Sequence, residues 1–251
     1  MDKVKMHSSE VSCFEEILGH LALSSSEETF VVFDVDDTLL RSTQQLGSVA
    51  WFDYIKANFE RKGVSKKEAQ EIVSILWVTV QPYMKVEAVD PNTQKVIQEI
   101  QSKKFPVISL TARKPEEAYY TRKQLQSIGI DLSLNGLITE SRQEFSLQHT
   151  AIYDRGILFA NHGNKKSDVL LSFLQKNTLK PKRILFVDDF PGHVEDVKEA
   201  LKAVNIECIG LRFSGSDLHV KKFDSKIADI QWEKFPHLLS DKEAQDILAD
   251  L

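Results

Sequence analysis

Phe30-Val31-Val32-Phe33-Asp34-Val35-Asp36-Asp37-Thr38-Leu39-Leu40 reads as a short buried strand that ends in acid. A brief apolar run of this kind has the length of a core strand. Asp34 and Asp36 stand two apart, and in extended chain that spacing puts both side chains on one face. Like charges held so close repel, so a fold keeps them only with a cation between them or a raised pKa on one. A hard, oxygen-seeking cation such as Mg²⁺ meets that need. Further along, Ile184-Leu185-Phe186-Val187-Asp188-Asp189 repeats the pattern. Two acid-tipped strands far apart in sequence meet at one end of a parallel sheet, and a metal site with a candidate nucleophile results.

The segments between these strands support that sheet. An amphipathic lead-in helix is expected over about residues 8 to 23, with Val11, Phe14, Ile17, Leu18 and Leu21 on one face. The first central strand is expected over Thr29 to Val35. Between Arg41 and about Glu87 the period turns helical: Val49, Phe52, Ile55 and Phe59 mark one helix, stopped by Gly63, and Ala69, Ile72, Val73, Leu76 and Val80 mark a second. Asp90-Pro91 starts the next helix as N-cap and first-turn proline. Strands follow at Pro106 to Leu110, Arg183 to Val187 and Ile206 to Leu211, separated by helices, and this alternation argues for right-handed βαβ units. Ala151 to Tyr153, Asp154-Arg155-Gly156 and Ile157 to Ala160 read as a β-hairpin. The last forty residues read as irregular, with a terminal helix. The expected architecture is α/β: a three-layer parallel-sheet core over 1–40 and 88–251, with a small helical cap over 41–87.

Composition bounds the function. A chain of 251 residues carries one large domain, or a core with a smaller insert. The net charge of −5 and the lack of a Lys/Arg run give no field for nucleic acid. No apolar run approaches a membrane span, and Ser8, Ser9, Glu10, Glu15 and Glu16 interrupt any signal-peptide core after Lys3 and Lys5. The two cysteines, Cys13 and Cys208, read as buried thiols of a reducing compartment. The expectation is a cytoplasmic protein, with export by a route lacking a cleaved signal left open, and with neither nucleic acid nor membrane as partner.

The chemistry-bearing residues follow from position. Asp34, at the carboxyl edge where open α/β sheets bind ligands, is placed to attack phosphorus and form an aspartyl-phosphate. Asp36 is placed to protonate the leaving oxygen and then deprotonate the attacking water. Thr111, after the strand Val107-Ile108-Ser109-Leu110, offers a hydroxyl and an N–H to a phosphoryl oxygen. Arg113 is read equally as a solvated side chain or a substrate contact. Lys165 and Lys166 offer the cation that so many acids require, and Lys166 is favoured because Leu170, one turn on, packs inward. Asp188 and Asp189 are the metal-side acids, one bound directly and one through water. His193 lies in the first turn after them.

Asp34-x-Asp36-x-Thr38, Thr111, Lys166 and Asp188-Asp189, in that order and each at a strand end or turn, resemble the phosphatase branch of the haloacid dehalogenase superfamily. The resemblance covers residues 30 to 211. It implies a Rossmann-like core, a phosphoaspartate at Asp34, acid/base work by Asp36, and Mg²⁺ held by Asp34, the Asp36 carbonyl and Asp188, with Asp189 able to supply a second carboxylate. It also implies substrate contacts at Thr111, Ala112 and the motif lysine, Lys165 or Lys166, and a cap in the helical insert. Leu110-Thr111-Ala112-Arg113 looks like the acid-phosphatase type, and the added hairpin is similar to a bacterial branch of the superfamily. His193 departs from the acid or amide many members carry at that position. Asp36 itself favours phosphate chemistry over dehalogenation, because halide departure needs no proton. The implied activity is a Mg²⁺-dependent phosphatase for a small soluble phosphomonoester. A phosphotransferase or mutase, and a non-catalytic phosphate-ligand or protein-binding module, are the alternatives, and oligomeric state is open.

Overall fold

The computed structural model describes residues 9–135, 137–138 and 141–250. Its elements in chain order are β1 (Ser9–Val11), α1 (Phe14–Leu21), β2 (Thr29–Phe33), β3 (Leu40–Ser42), α2 (Val49–Arg61), α3 (Lys66–Val80), β4 (Val86–Ala88), α4 (Thr93–Ser102) and β5 (Val107–Thr111). Then come α5 (Ala118–Ser127), β6 (Arg142–Ser146), β7 (Thr150–Asp154), β8 (Ile157–Phe159), α6 (Lys166–Lys176), β9 (Arg183–Asp188), α7 (Pro191–Ala203), β10 (Glu207–Phe213), α8 (Asp217–Val220), α9 (Ser225–Lys234) and α10 (Asp241–Ala249).

Eight strands form one sheet in the order β1-β10-β9-β2-β5-β8-β7-β6. β1, β10, β9, β2, β5 and β8 run parallel, and β7 and β6 add antiparallel at one edge. Alternate residues of each inner strand serve opposite faces. Val31 and Phe33 join Leu185 and Val187 under Phe14 and Ile17 of α1 and Val96, Ile97 and Ile100 of α4. Phe30 and Val32 join Ile184 and Phe186 under Val169, Leu170 and Phe173 of α6 and Val194 and Val197 of α7. Both faces of the sheet are thus covered, and the architecture is a three-layer α/β fold of Rossmann-like type. β2 sits where strand order reverses, with β5 on one side and β9 on the other, which opens a crevice at its carboxyl end.

The helical stretch after β2 hangs from a two-stranded stem. β3 and β4 pair antiparallel, Leu40 opposite Ala88 and Ser42 opposite Val86, and Arg41 Nε donates to Glu87 at 2.8 Å across them. Ser48 caps α2 by accepting the Trp51 N–H, and Ser65 and Glu68 form a capping box on α3. Trp51, Trp77, Val80 and Met84 form a small core of their own, completed by Ala228 of α9.

Several sequence expectations are corrected. The first helix begins at Phe14, not near residue 8; Ser9–Val11 is instead a strand on β10, with Val11 turned into the core. The expected start at residue 8 lies outside the described residues. The last forty residues are mostly helical rather than irregular, because Ile227, Ala228 and Ile230 supply an apolar stripe and Ser240 with Glu243 a capping box. The α4 helix begins at Thr93, with Asp90 still accepting the Asn92 N–H at 2.7 Å. The hairpin turn lies at Arg155 and Gly156, both at positive φ, and a Cβ at Gly156 would stand 2.3 Å from the Leu132 carbonyl oxygen. Cys13 and Cys208 are both half-buried free thiols.

Candidate functional site

A cavity of about 700 Å³ opens at the carboxyl ends of β2, β5 and β9, with the α2–α3 segment as its opposite wall. Asp34 leaves β2 with its N–H bonded to the Val187 carbonyl at 2.9 Å, so the two acid-tipped strands are locked in register at the site. Lys166, in the first turn of α6, is 5% exposed and donates to Asp34 Oδ1 at 2.6 Å and Asp188 Oδ2 at 2.7 Å. The other Asp188 oxygen accepts the Phe190 N–H at 2.9 Å and faces His193 Nδ1 at 3.2 Å. Thr38 reaches across from the first motif, its hydroxyl accepting the Asp189 N–H at 3.0 Å. Asp37 adopts a positive φ of 56°, and its carbonyl accepts the Ser216 hydroxyl at 2.6 Å, pinning the tight turn after Asp36.

The structure therefore brings Asp34, Asp36, Thr111, Ala112, Lys166 and Asp189 to one cavity, with Asp188 buried behind it. Thr111 ends β5, and its hydroxyl accepts the Arg113 N–H at 3.2 Å. His193 lines the same space. Lys165 does not: it is exposed at the N-cap of α6, and the lysine among the acids is Lys166. Arg113 also lines the cavity, and it is not a solvated side chain. It is 2% exposed, and its Nε and Nη2 bind the two Asp36 oxygens at 2.8 and 2.7 Å. Asp37, Phe52, Trp77, His162 and Arg212 also line the cavity, and of these Phe52 and Arg212 carried no signal of a site in the sequence. His162 stacks on Phe52 at 5.6 Å, and burial pushes its imidazole down to about 4.

Charge in the cluster is unbalanced. Burial pushes Asp34 up to about 6 against the pull of Lys166. Asp188 is also desolvated, yet Lys166 and His193 hold it below the usual carboxylate range. Lys166 pays for its burial through Asp188 and Asp34, which keep its ammonium protonated far above the ordinary lysine value. Asp37 rises to about 7 through burial and the charges of Asp36 and Asp34. Asp189 rises to about 9 through burial and the charges of Asp34, Asp188 and Asp37. Among the described residues neither Asp37 nor Asp189 has an ion-pair partner, while Lys166 and Arg113 are taken by the other three acids. Carboxylate oxygens of Asp34, Asp188 and Asp189 lie within 4.8 Å of one another. A compact, all-oxygen, over-charged donor set of this kind suits a hard divalent cation.

The chain belongs to the family described as "Protein of unknown function (DUF2608)", whose model matches residues 10–245. It is similar to two Chlamydia pneumoniae proteins and one from Chlamydia trachomatis serovar D, each named "Putative outer membrane protein". Identity is 25% over 95% of this chain and 89% of the relative for one C. pneumoniae protein, and 22% over 89% and 84% for the other. For the C. trachomatis protein it is 23% over 97% and 91%. The class C acid phosphatase from Bacillus anthracis matches with a TM-score of 0.39 at 15% identity, over 94% of this chain and 84% of that one, a likeness too loose to bear on chemistry. The relatives' names overturn the cytoplasmic placement expected above and point to the cell envelope. That expectation rested on the missing signal core and the missing apolar span, and neither feature decides the matter. Among the described residues no helix is long and apolar enough to cross a membrane.

Proposed function

We propose that this chain is a Mg²⁺-dependent phosphomonoesterase of the haloacid dehalogenase type, acting on a small phosphate ester at the cell envelope. The observation that carries the reading is the buried Asp34 carboxylate, held by Lys166 at 2.6 Å beside an acid cluster, with Asp36 facing the same cavity. The envelope setting rests on the names of the chlamydial relatives.

Asp34 attacks phosphorus; the new bond forms to its carboxylate oxygen as the ester P–O bond breaks. The leaving oxygen takes a proton from Asp36 and departs as an alcohol. Water then attacks the aspartyl-phosphate, gives its proton back to Asp36, and frees inorganic phosphate and the Asp34 carboxylate. Lys166 orients Asp34 and offsets the charge that the incoming phosphate adds. The Thr111 hydroxyl and the backbone at Ala112 are placed to hold phosphoryl oxygens. Asp34, Asp188, Asp189 and the Asp36 carbonyl would hold Mg²⁺, which when bound neutralises charge on the transferring group. The α2–α3 segment, carried on the β3–β4 stem, acts as a cap that shields the reaction from water and selects the ester.

Phosphate release from a panel of aryl and alkyl phosphate esters, in Mg²⁺ and in EDTA, tests the reading. Release that needs Mg²⁺ and falls to background in Asp34→Asn is expected. Metal-independent release, or an Asp34→Asn variant as active as the parent, would overturn it. Release of the alcohol without matching free phosphate would instead point to a transferase.

A further inference from the structure

We infer that Arg113 is the positioning residue for Asp36, and that Trp77 and Gln81 of the α2–α3 segment set its grip. The inference rests on the acid/base role given to Asp36 above. It adds a link between that role and the docking of a distant segment.

Two paths lead from the segment to Arg113. In the first, the Trp77 indole N–H donates to Glu117 Oε1 at 2.9 Å, and Glu117 Oε2 accepts the Lys114 N–H at 2.7 Å. The Trp77 ring also stands over the guanidinium, 5.9 Å from centroid to its central carbon. In the second, Gln81, just past α3, receives bonds at 3.2 Å from the Gln124 amide on both its backbone and side-chain oxygens. Gln81 in turn donates to the Gly47 carbonyl at 2.9 Å. The Gln124 oxygen accepts Arg113 Nη1 at 2.6 Å, and the Thr121 hydroxyl accepts the same nitrogen at 3.0 Å. Trp77, Gln81 and Gly47 all belong to the segment, whereas Arg113, Glu117, Thr121 and Gln124 belong to the core.

Every nitrogen of the guanidinium thus has a fixed partner, and Asp36 receives two of them in one plane. A carboxylate offers about four lone-pair positions. The arginine fork occupies one on each oxygen and leaves the others to the cavity, so Asp36 can act in only one orientation. Glu117 is 1% exposed and Trp77 5% exposed, so the segment completes the wall around Arg113. The orientation of Asp36 therefore depends on how the segment docks against the core.

The leaving group separates this role from a merely structural one. An aryl phosphate departs with little help from an acid, whereas an alkyl phosphate needs the proton. Trp77→Phe keeps the ring and removes the N–H; Glu117→Gln removes the charge behind it. For p-nitrophenyl phosphate, kcat should fall less than about twofold in either variant, and for glycerol 2-phosphate about tenfold, a fraction of what a full acid/base group supplies. Arg113→Lys should show the alkyl-selective loss too, since one ammonium cannot replace the fork. Equal losses for both esters would overturn the inference. If the parent protein cleaves neither ester, the proposed function fails and the link is judged by a second readout. The chain has three tryptophans, so the Trp77 indole N–H resonance is assigned by its absence in Trp77→Phe. Asp36→Asn should shift that resonance; an unmoved signal would overturn the link.

Discussion

The cavity holds two buried cations, and they are bound in opposite ways. Lys166 gives one nitrogen to two carboxylates that are themselves buried, Asp34 and Asp188. Arg113 gives two nitrogens to one carboxylate, Asp36, whose side chain keeps 19% of its surface exposed, and spends the third on neutral oxygens of Thr121 and Gln124. A compact ammonium suits the place where charge must be offset from several directions, whereas a planar fork suits the place where one carboxylate must be aimed. The difference teaches that a buried ion pair can serve either to balance charge or to set direction, and that the partner's remaining access to water tells which.

That contrast can be broken by stability measurements. Lys166→Met leaves two buried carboxylates uncompensated and should cost about 3–5 kcal/mol in denaturant unfolding without metal. A loss below that of the arginine variant would erase the distinction. Divalent cation should act on the same side of the cavity. Asp37 at about 7 and Asp189 at about 9 both titrate above their unfolded value. Their contribution to stability is therefore full below the unfolded pKa and is lost as pH rises through 7 and then 9. In EDTA, Tm should fall between pH 5 and pH 9. Mg²⁺ at a hundred times its Kd should restore about 2.7 kcal/mol at pH 8 and much less at pH 5, where protons hold the ligand oxygens. A Tm gain from Mg²⁺ that is equal at both pH values would place the ion elsewhere. Arg113→Met frees Asp36 toward solvent rather than stranding it, so its cost should be about 2 kcal/mol by the same unfolding assay. The smallest effect belongs to Lys165→Ala, within about 0.5 kcal/mol of the parent and with unchanged phosphate release. A clear change in either would draw Lys165 into the site from which its exposure excludes it.

The sequence carried the central part of this arrangement because the signals there are local. β2 and β9 announce themselves as apolar runs tipped with acid, and Arg155-Gly156 marks the turn of the β7–β8 hairpin within a few residues. The edge strands lacked such signals. β6 turns only Gln143 and Phe145 inward among exposed Arg142, Glu144 and Ser146, and β1 has one buried residue in three. The C-terminal helices were within reach, since Ser240-x-x-Glu243 is an ordinary helix start, but the burial of α9 is divided between α10, through Ile227 and Ile230, and the helical segment far earlier in the chain, through Ala228. The pairing of Arg113 with Asp36 was out of reach for the same reason. The residues beside it marked Arg113 as a candidate, but its partner Asp36 lies 77 residues away, so the pairing could not be read locally.

The joining of Asp34 and Asp188 has a consequence for how the molecule comes into being. Lys166 finds Asp34 across 132 residues, and Thr38 finds Asp189 across 151. Contacts of such separation form slowly, because a long loop must close before they return any free energy. The acids meet only where β2 and β9 are in register, and Lys166 leaves part of their mutual repulsion, with that of Asp189, uncompensated. Refolding in the presence of divalent cation should therefore be faster than in EDTA.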